Sequence, residues 1–262
     1  MKRMGWVWRW VVLAAGIGGW QLWASHAQSS FFPPPSAIVA RMYDVWFSGP
    51  ASHLFLTADA TGNILPSLAR VLASLAIATA IAVPAGIVLG RSPVITAYLD
   101  PLLQFARALP VVTMAPVFIV LFKLGTQMEI ATIVFGTIWP ILLNTIDGAA
   151  SVDPVQLETA RAFRMSAWER LVRVIVPAAL PKTFAGLRLS LSLALILMVF
   201  SELVGSSNGI GYEMSNASNS FDLTLLWSTI VLLGILGYLL NELLSGAERL
   251  VLGWHIHNRE RD

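Results

Sequence analysis

Long apolar runs alternate with short polar segments along the whole chain. The runs lie at about residues 6–24, 65–89, 99–124, 130–149, 184–204 and 223–244. A helix needs about 20 apolar residues to cross the hydrocarbon layer of a bilayer, so the pattern predicts six transmembrane helices. Residues 28–63 are too polar to cross, and their amphipathic stretch at 38–46 predicts a helix on the membrane surface.

The first apolar run has two interpretations. Lys2 and Arg3 precede it and Arg9 lies near its start, as in a helix that anchors a chain in the membrane. Residues 25–27 (Ser-His-Ala) follow it and resemble the small-residue cleavage site of a secretory signal peptide. We favour the retained anchor and count this run as the first transmembrane helix.

The composition favours an all-α polytopic membrane protein. Of the 262 residues, 56% are hydrophobic and only 12% are charged, whereas soluble domains contain about 25% charged residues. The mean hydropathy is +0.70. The chain has no cysteine, which excludes disulfides, thiolate metal sites and a cysteine nucleophile.

The positive charges lie in short segments between the apolar runs, where they set orientation in the membrane. With the amino terminus in the cytoplasm, one side carries Lys2, Arg3, Arg91, Arg161, Arg164, Arg170, Arg173, Lys182, Arg249, Arg259 and Arg261. The opposite segments carry chiefly Arg41 and Lys123. This asymmetry predicts that both termini are cytoplasmic. It also indicates that the positively charged residues behind the net charge of +2 lie near membrane lipid and do not bind nucleic acid.

A charged insert, residues 151–182, separates the fourth and fifth apolar runs. Asp153 and Pro154 form a helix start, with aspartate as the N-cap and proline at the first helical position. Ser166 and Glu169 have the spacing of a capping box, in which each side chain satisfies an amide of the other residue. The insert is therefore predicted to contain two short helices with an elbow near residues 164–165.

The second helix of the insert is amphipathic. Its apolar positions 168, 171, 172 and 175 share one face, and we expect Pro177 and Pro181 to end it. Two functions fit such a helix pair. It lies flat on anionic lipid, or it enters a groove on a soluble partner. The spacing alone does not separate the two.

The insert resembles the EAA loop of permease subunits of bacterial binding-protein-dependent ABC importers. That pattern reads E-A-A, three residues, G, nine residues, I, one residue, L-P. Here Glu158, Thr159 and Ala160 stand for the first element, Val174 for the isoleucine and residues 176–177 (Val-Pro) for the last element. All the intervals are kept over about 20 residues.

One position departs from the family pattern. Arg164 stands where the family has glycine, which suits a left-handed helix cap that other residues adopt at a cost of about 1 kcal/mol. The resemblance extends over about residues 64–252. Within the family, the chain is similar to the nitrate/sulfonate/taurine branch, which also includes bicarbonate, thiamine-precursor and aromatic-acid importers. The matching stretches are Gly186-Leu187-Arg188, Ser201-Glu202, Gly209-Ile210-Gly211-Tyr212, and Ala108-Leu109-Pro110 before Ala115-Pro116.

The resemblance implies a type I ABC importer permease fold with six transmembrane helices and cytoplasmic coupling helices, in the inner membrane of a bacterium. It implies a second permease copy or paralogue, two cytoplasmic ABC ATPases and an extracytoplasmic solute-binding protein as partners. ATP and Mg would be bound by the partner ATPase, and no cofactor by this chain. The implied domains are a transmembrane helix with an extracytoplasmic segment at 1–63, a permease core at 64–252 and a cytoplasmic tail at 253–262.

The implied function is the inward movement of a small solute, such as a sulfonate, taurine or nitrate, coupled to ATP hydrolysis on a partner. The alternative is a secondary transporter or channel that does not need ATP. In the importer, Glu158 would pair with a cation in the ATPase groove. The alternative is that its negative charge only stabilises the amino-terminal half of its own helix through the helix dipole. The expected ATPase-coupling residues are Glu158, Thr159, Ala160, Arg161, Arg164, Ser166, Trp168, Leu171 and Pro177.

Five residues are candidates for the translocation path or its gate. Pro110 and Pro116 break the hydrogen-bond ladder of the third apolar run, and a broken helix at membrane depth is tolerated only against protein or a cavity. Glu202 is the deepest acidic residue and fits a gate or an interhelical pair. Gly209 and Gly211 fit a gate loop or a binding-protein surface, although glycines in a loop most often form a turn.

A membrane-embedded enzyme is the rival class. The four histidines, at positions 26, 53, 255 and 257, lie outside the apolar runs. The sequence contains no H-E-x-x-H, P-loop or G-x-S-x-G motif. We therefore predict neither a metal site nor an ATP site, and we expect this chain to be a non-catalytic subunit.

Overall fold

The computed structural model describes residues 2–27 and 29–253, and within them every regular element is helical. The α-helices are α1 Lys2–Ala27, α2 Pro35–Met42, α3 Ala58–Arg91, α4 Pro93–Ala108, α5 Val111–Phe122, α6 Thr126–Ala150, α7 Pro154–Ala162, α8 Ala167–Arg170, α9 Val176–Gly205, α10 Ile210–Asn219 and α11 Leu223–Val251. The predicted all-α fold is confirmed. The predicted tail, residues 253–262, lies outside the described residues except for Gly253.

Four helical segments of the described chain are long and apolar enough to cross a membrane. They are Ala51–Arg91, Thr126–Ala150, Ala167–Gly205 and Leu223–Val251, and they contain the second, fourth, fifth and sixth apolar runs. Helix α1 has 26 residues but is not among them. Its role as the first transmembrane helix stays a prediction.

The third apolar run forms two helices rather than one. Helices α4 and α5 meet at an angle of 91°, and the break lies at Leu109 and Pro110, both extended. Proline fixes its own φ and disfavours helical backbone in the residue before it, which explains the break. Pro116, in contrast, lies inside α5. It breaks the hydrogen-bond ladder at one position, as expected of a proline, without ending the helix.

The chain divides into two compact units, and the first contains the chain up to Pro66 together with Asn208–Leu236. The helix predicted at 38–46 is present, because α2 continues into a π turn at Tyr43–Phe47 that buries Trp46 completely. Its place on the membrane surface stays a prediction. The Trp227 ring lies 5.5 Å from Trp20 and its Nε1–H donates to the Phe31 carbonyl at 3.0 Å. This aromatic cluster joins α1 to α11.

The second unit contains Ser67–Ser207 and the chain from Gly237 onward. Helices α6 and α9 pack along each other at glycines. A Cβ atom on Gly186 would lie 2.6 Å from the Pro140 carbonyl oxygen, and one on Gly148 would lie 2.9 Å from the Ala179 carbonyl oxygen. The two backbones therefore approach so closely that a methyl group does not fit between them.

Helix α3 packs against α6 in the same unit. Ala78 and Ala82 are fully buried beside Ile141 and Leu142, as expected for small residues that permit close helix packing. A Cβ atom on Gly90, near the carboxyl end of α3, would lie 2.4 Å from the Ile146 carbonyl oxygen. Helices α3, α6 and α9 thus form one closely packed group.

Candidate functional site

The insert begins with the predicted helix start. Asp153 Oδ1 accepts a hydrogen bond from the Val155 N–H at 2.8 Å, and Pro154 occupies the first turn of α7. Along this helix Ala160 is buried, whereas Glu158 is exposed. The first helix of the insert is confirmed, and the Glu158 side chain on it is accessible to solvent.

Arg164 forms the elbow with a left-handed backbone, at φ 55°. The Met165 N–H donates to the Ala160 carbonyl at 3.0 Å, and the Arg164 N–H donates to the Arg161 carbonyl at 2.8 Å. These two bonds form a Schellman motif, which usually has glycine at its left-handed position. The left-handed cap that the glycine of the family pattern indicated is present, although an arginine occupies it.

The second helix of the insert starts at the predicted capping box. The Glu169 N–H donates to Ser166 Oγ at 3.2 Å, and the Ser166 N–H donates to Glu169 Oε2 at 2.8 Å. The box satisfies one amide on each residue, and the Schellman motif satisfies the carbonyls on the other side of the elbow. The shape of the elbow is therefore set by bonds within the insert itself.

The expectation that Pro177 and Pro181 end the second helix is wrong. The segment Ala167–Gly205 is continuous, with a π turn at Leu171–Ile175 between α8 and α9. Pro177 lies in the first turn of α9, and Pro181 lies inside it. The wider π turn comes directly before Pro177, whose ring would crowd an ordinary helical turn. The insert is therefore joined without a break to an apolar helix.

Four large apolar side chains of the insert are exposed. The exposed fraction is 66% for Val155, 79% for Phe163, 71% for Trp168 and 44% for Val172. Leu171, which we expected to act with Trp168, is half-buried. Exposed apolar groups that cluster on one element commonly mark contact with a protein or a membrane. Five of the expected coupling residues have exposed polar side chains: Glu158, Thr159, Arg161, Arg164 and Ser166.

A groove of about 660 Å³ lies between α7 and the beginning of α9. Three of the expected coupling residues, Thr159, Ala160 and Pro177, line it together with Phe163 and Arg173. Three of the nine predicted coupling residues thus lie at this groove.

Glu202, a predicted gate residue, belongs to a buried group of charges. Arg70 Nη1 lies 2.7 Å from Glu202 Oε1, and Arg70 Nε lies 2.5 Å from Glu129 Oε2. Ser67 Oγ donates to Glu202 Oε1 at 2.7 Å. We name Arg70, Glu129 and Glu202 the ion triad. It joins α3, α6 and α9, and the exposed fractions of its three residues are 5%, 0% and 1%.

Charges buried this deeply are stable only as a group. Removal of one partner of a buried ion pair costs about 3–5 kcal/mol, because the remaining charge loses its counter-charge in a medium of low polarity. Glu202 is therefore an interhelical partner, which was one of its two predicted roles. Its carboxylate is not accessible to a solute within the described structure.

Arg70 is not among the residues predicted to be functional. An ionisable residue inside an apolar run is a functional candidate by default, and Arg70 lies within the second run. That signal was available from the sequence. Its partners were not, because Glu129 and Glu202 follow 59 and 132 residues later in the chain.

The other four predicted path residues do not belong to the ion triad. Pro110 is the N-cap of α5 and is exposed, and Pro116 is exposed within α5. Gly209 has a left-handed backbone at φ 121°, and its N–H donates to Asn63 Oδ1 at 2.8 Å. Gly211 is buried in the first turn of α10. The two glycines therefore anchor a turn within the first unit.

Two carboxyl groups near α10 have altered acidity. Burial, followed by the negative charge of Asp59, raises the pKa of Glu213. Burial acts in the same direction on Asp222, but hydrogen bonds from the Leu225 N–H and from Arg41 outweigh it and lower the Asp222 pKa. The Arg41 Nη2 atom lies 2.7 Å from Asp222 Oδ2. This partly exposed ion pair connects α2 with the start of α11.

Comparison with known proteins identifies relatives over nearly the whole chain. Residues 82–251 match the family model described as "Binding-protein-dependent transport system inner membrane component". The putative aliphatic sulfonates transport permease protein SsuC of Bacillus subtilis (strain 168) is 30% identical over 97% of this chain and 89% of its own length. The taurine transport system permease protein TauC of Escherichia coli (strain K12) is 27% identical over 86% of this chain and 80% of its own length.

A solved structure has the same fold. An inward-facing conformation of the MetNI methionine ABC transporter superposes with a TM-score of 0.62, covering 72% of this chain and 94% of the matched chain, at 19% identity. The family model covers well over half of the described residues, and the arrangement of helices agrees with it. The chain belongs to the binding-protein-dependent transport system inner membrane components, the permease subunits of ABC importers.

Proposed function

We propose that this permease carries a small anion of the sulfonate class inward and that its insert docks on a cytoplasmic ABC ATPase. The observation that supports docking is the elbow, whose shape is fixed by its own hydrogen bonds. It presents exposed Phe163 and Trp168 beside exposed Glu158. An amphipathic helix that enters an apolar groove uses this combination of an apolar anchor and a flanking charge.

The remaining components of the importer follow from this role. A second permease copy or a paralogue completes the path, and an extracytoplasmic solute-binding protein delivers the solute. ATP and Mg are bound by the ATPase, while this chain holds no cofactor and hydrolyses no nucleotide. Both termini and the insert lie in the cytoplasm, which the distribution of lysine and arginine supports.

Coupling requires that the ATPase favours one conformation of the permease over another. A bound partner shifts an equilibrium only through its different affinities for the two states. Closure of the ATPase dimer on ATP changes the position of the groove that holds the insert. Because α8 continues into α9 through the π turn, displacement of Trp168 is passed along an unbroken helix into the membrane.

The proposed substrate class rests on relatives. The names of SsuC and TauC refer to aliphatic sulfonates and to taurine, which share a compact sulfonate group. We expect uptake of radiolabelled taurine by cells that express the complete importer to be reduced by unlabelled alkanesulfonates. Competition by nitrate alone would assign the chain to a different anion.

Docking is tested by two substitutions with matched controls. Glu158→Lys reverses the exposed charge and Trp168→Ala removes the apolar anchor. Each is expected to abolish co-purification of the ATPase and to reduce uptake at least ~10-fold, by loss of a central interface contact. Asp44→Lys and Trp8→Ala change an exposed acid and an exposed tryptophan elsewhere and are expected to have no effect on either measurement.

The outcome that contradicts docking is equally specific. If both insert variants retain the ATPase and the uptake rate, the insert does not dock. If ATP depletion leaves uptake unchanged in the wild type, the chain acts without an ATPase, as a secondary transporter or a channel. If Trp168→Ala lowers only the binding of the insert to anionic vesicles, the insert is a lipid-contacting helix pair.

A further inference from the structure

The ion triad lies at the opposite end of the same continuous helix that begins in the insert. From Trp168 to Glu202 the chain advances 34 residues along Ala167–Gly205, which corresponds to about 50 Å at the helical rise. Glu202 lies in the last turn of α9. The helix that bears the docking side chains thus ends in a buried charge cluster.

At this end Glu202 has partners on two other helices. The Arg70 guanidinium of α3 lies between the two carboxylates, at 2.7 Å from Glu202 Oε1 and 2.5 Å from Glu129 Oε2 of α6. Ser67, one turn before Arg70, also donates to Glu202 Oε1. Arg70 Nη2 lies 3.5 Å from Thr126 Oγ1 at the start of α6. A planar guanidinium that bridges two carboxylates fixes orientation as well as distance.

The same three helices are also held near their other ends by backbone contact. A Cβ atom on Gly90 of α3 would clash with the Ile146 carbonyl of α6, and one on Gly148 of α6 would clash with the Ala179 carbonyl of α9. Close packing of this kind resists separation but does not by itself prevent one helix from sliding or tilting against its neighbour. At the triad end, a Cβ atom on Gly205 of α9 would meet the flexible side chains of Leu124 and Met128 rather than backbone, and the ion triad supplies directional bonds there.

We propose that Arg70, Glu129 and Glu202 are positioning residues that make α3 and α6 move together with α9 when the ATPase displaces the insert. The proposal rests on the proposed function, because it assumes that the insert is displaced by an ATPase. The ion triad stays intact through the transport cycle, and the three helices move as one body. Without it, α9 moves at the insert while the far ends of α3 and α6 lag behind.

The first test measures coupling rather than stability. The complete importer is reconstituted in vesicles with wild-type permease, Glu202→Gln, Arg70→Met or Arg70→Lys, and both solute import and ATP hydrolysis are measured. We expect all variants to bind the ATPase and to hydrolyse ATP. The number of solute molecules imported per ATP should fall at least ~10-fold in Glu202→Gln and Arg70→Met, since the charge is lost. Arg70→Lys, which keeps the charge, should retain more coupling than Arg70→Met.

An unchanged import-to-hydrolysis ratio in both Glu202→Gln and Arg70→Met overturns the proposal. This failure differs from failure of the proposed function, in which the wild-type chain itself binds no ATPase. A general loss of structure would lower import and hydrolysis together. A selective loss of import, with hydrolysis maintained, is the result that a purely structural role does not give.

A second test applies even if the substitutions prevent assembly. The chain has no cysteine, so Leu72→Cys on α3 and Leu203→Cys on α9, both at exposed positions, accept a spin-label pair without further changes. In the otherwise wild-type importer we expect the same label-to-label distance within one permease with and without ATP. An ATP-dependent change in that distance shows that the two helices separate, and it contradicts movement as one body.

Discussion

The insert and the carboxyl end of α9 use charge in opposite ways. In the insert, Glu158, Arg161 and Arg164 are exposed, and the elbow is shaped by bonds between residues at most five positions apart. At the far end, Glu202 is buried and its partners are 132 and 135 positions away in the chain. Exposed charges near a fixed elbow suit binding to a partner, whereas buried charges between helices hold the fold.

The largest expected effect comes from removing Arg70, the cation that the buried Glu129 and Glu202 carboxylates share. Arg70→Met leaves Glu129 and Glu202 facing each other without a counter-charge, so we expect a loss of about 3–5 kcal/mol in unfolding free energy. The measurement is equilibrium unfolding of the purified permease in detergent. Arg41→Met, which breaks the partly exposed pair with Asp222, is the control and should cost about 0–1 kcal/mol. Equal losses in the two variants would show that burial does not distinguish these pairs.

A smaller effect is expected where α6 meets α9 between the two ends. Gly186→Ala places a Cβ atom 2.6 Å from the Pro140 carbonyl oxygen and 3.0 Å from Asn144 Cβ, so the helices must separate, at a cost of about 1–3 kcal/mol. At Gly234 no atom lies within 4 Å of such a Cβ. Gly234→Ala should therefore be neutral or slightly stabilising, as an alanine in a helix normally is. The same unfolding measurement compares the two, and a destabilised Gly234→Ala would count against this account of the close contact.

The contrast between the two ends also explains what the sequence could predict. Asp153, Ser166 and Glu169 act on amides two or three residues away, so their spacing in the sequence already determines the bonds. The cap at Arg164 was indicated by the family pattern for the same local reason. The predicted insert therefore agreed with the structure in its helix starts and in its elbow.

The error in the insert has a physical cause. Pro177 and Pro181 were expected to end its second helix, but Pro177 lies in the first turn of α9 and Pro181 lies inside it. A preceding π turn and the packing of neighbouring helices compensate for the missing amide. Neither is visible in the local sequence. Only at Pro110, where the preceding residue is extended, did the proline break the run.

The ion triad could be predicted only in part. Arg70, Glu129 and Glu202 are each visible as charges within or beside apolar runs, and such charges usually face protein. Which charges pair depends on how α3, α6 and α9 are arranged. That arrangement is set by close contacts such as Gly90 with Ile146, which join residues 56 positions apart and leave no mark in local spacing.

The capping box allows a milder change at the exposed end. Ser166→Ala removes the acceptor for the Glu169 N–H and should destabilise the start of α8 by about 1 kcal/mol. Hydrogen exchange of the Glu169 and Arg170 amides, which donate to Ser166, should accelerate about fivefold, while exchange in α6 stays the same. Ser192→Ala, a change at another exposed serine with only a bond to its own helix, is the control. Unaltered exchange of the Glu169 and Arg170 amides would mean that the box does not hold the elbow.

The smallest expected effect has the opposite sign. Arg164→Gly relieves a left-handed backbone that costs a residue with a Cβ atom about 1–2 kcal/mol, and the greater freedom of glycine in the unfolded chain offsets about 0.5–1 kcal/mol of that gain. We expect α7 to become more stable by about 0.5–1 kcal/mol, seen as slower hydrogen exchange of its amides. Arg161→Gly, inside α7 and also exposed, should instead destabilise the helix by about 1 kcal/mol. If both glycine variants exchange faster, Arg164 itself holds the elbow through its side chain, and the exposed end is fixed by more than its backbone bonds.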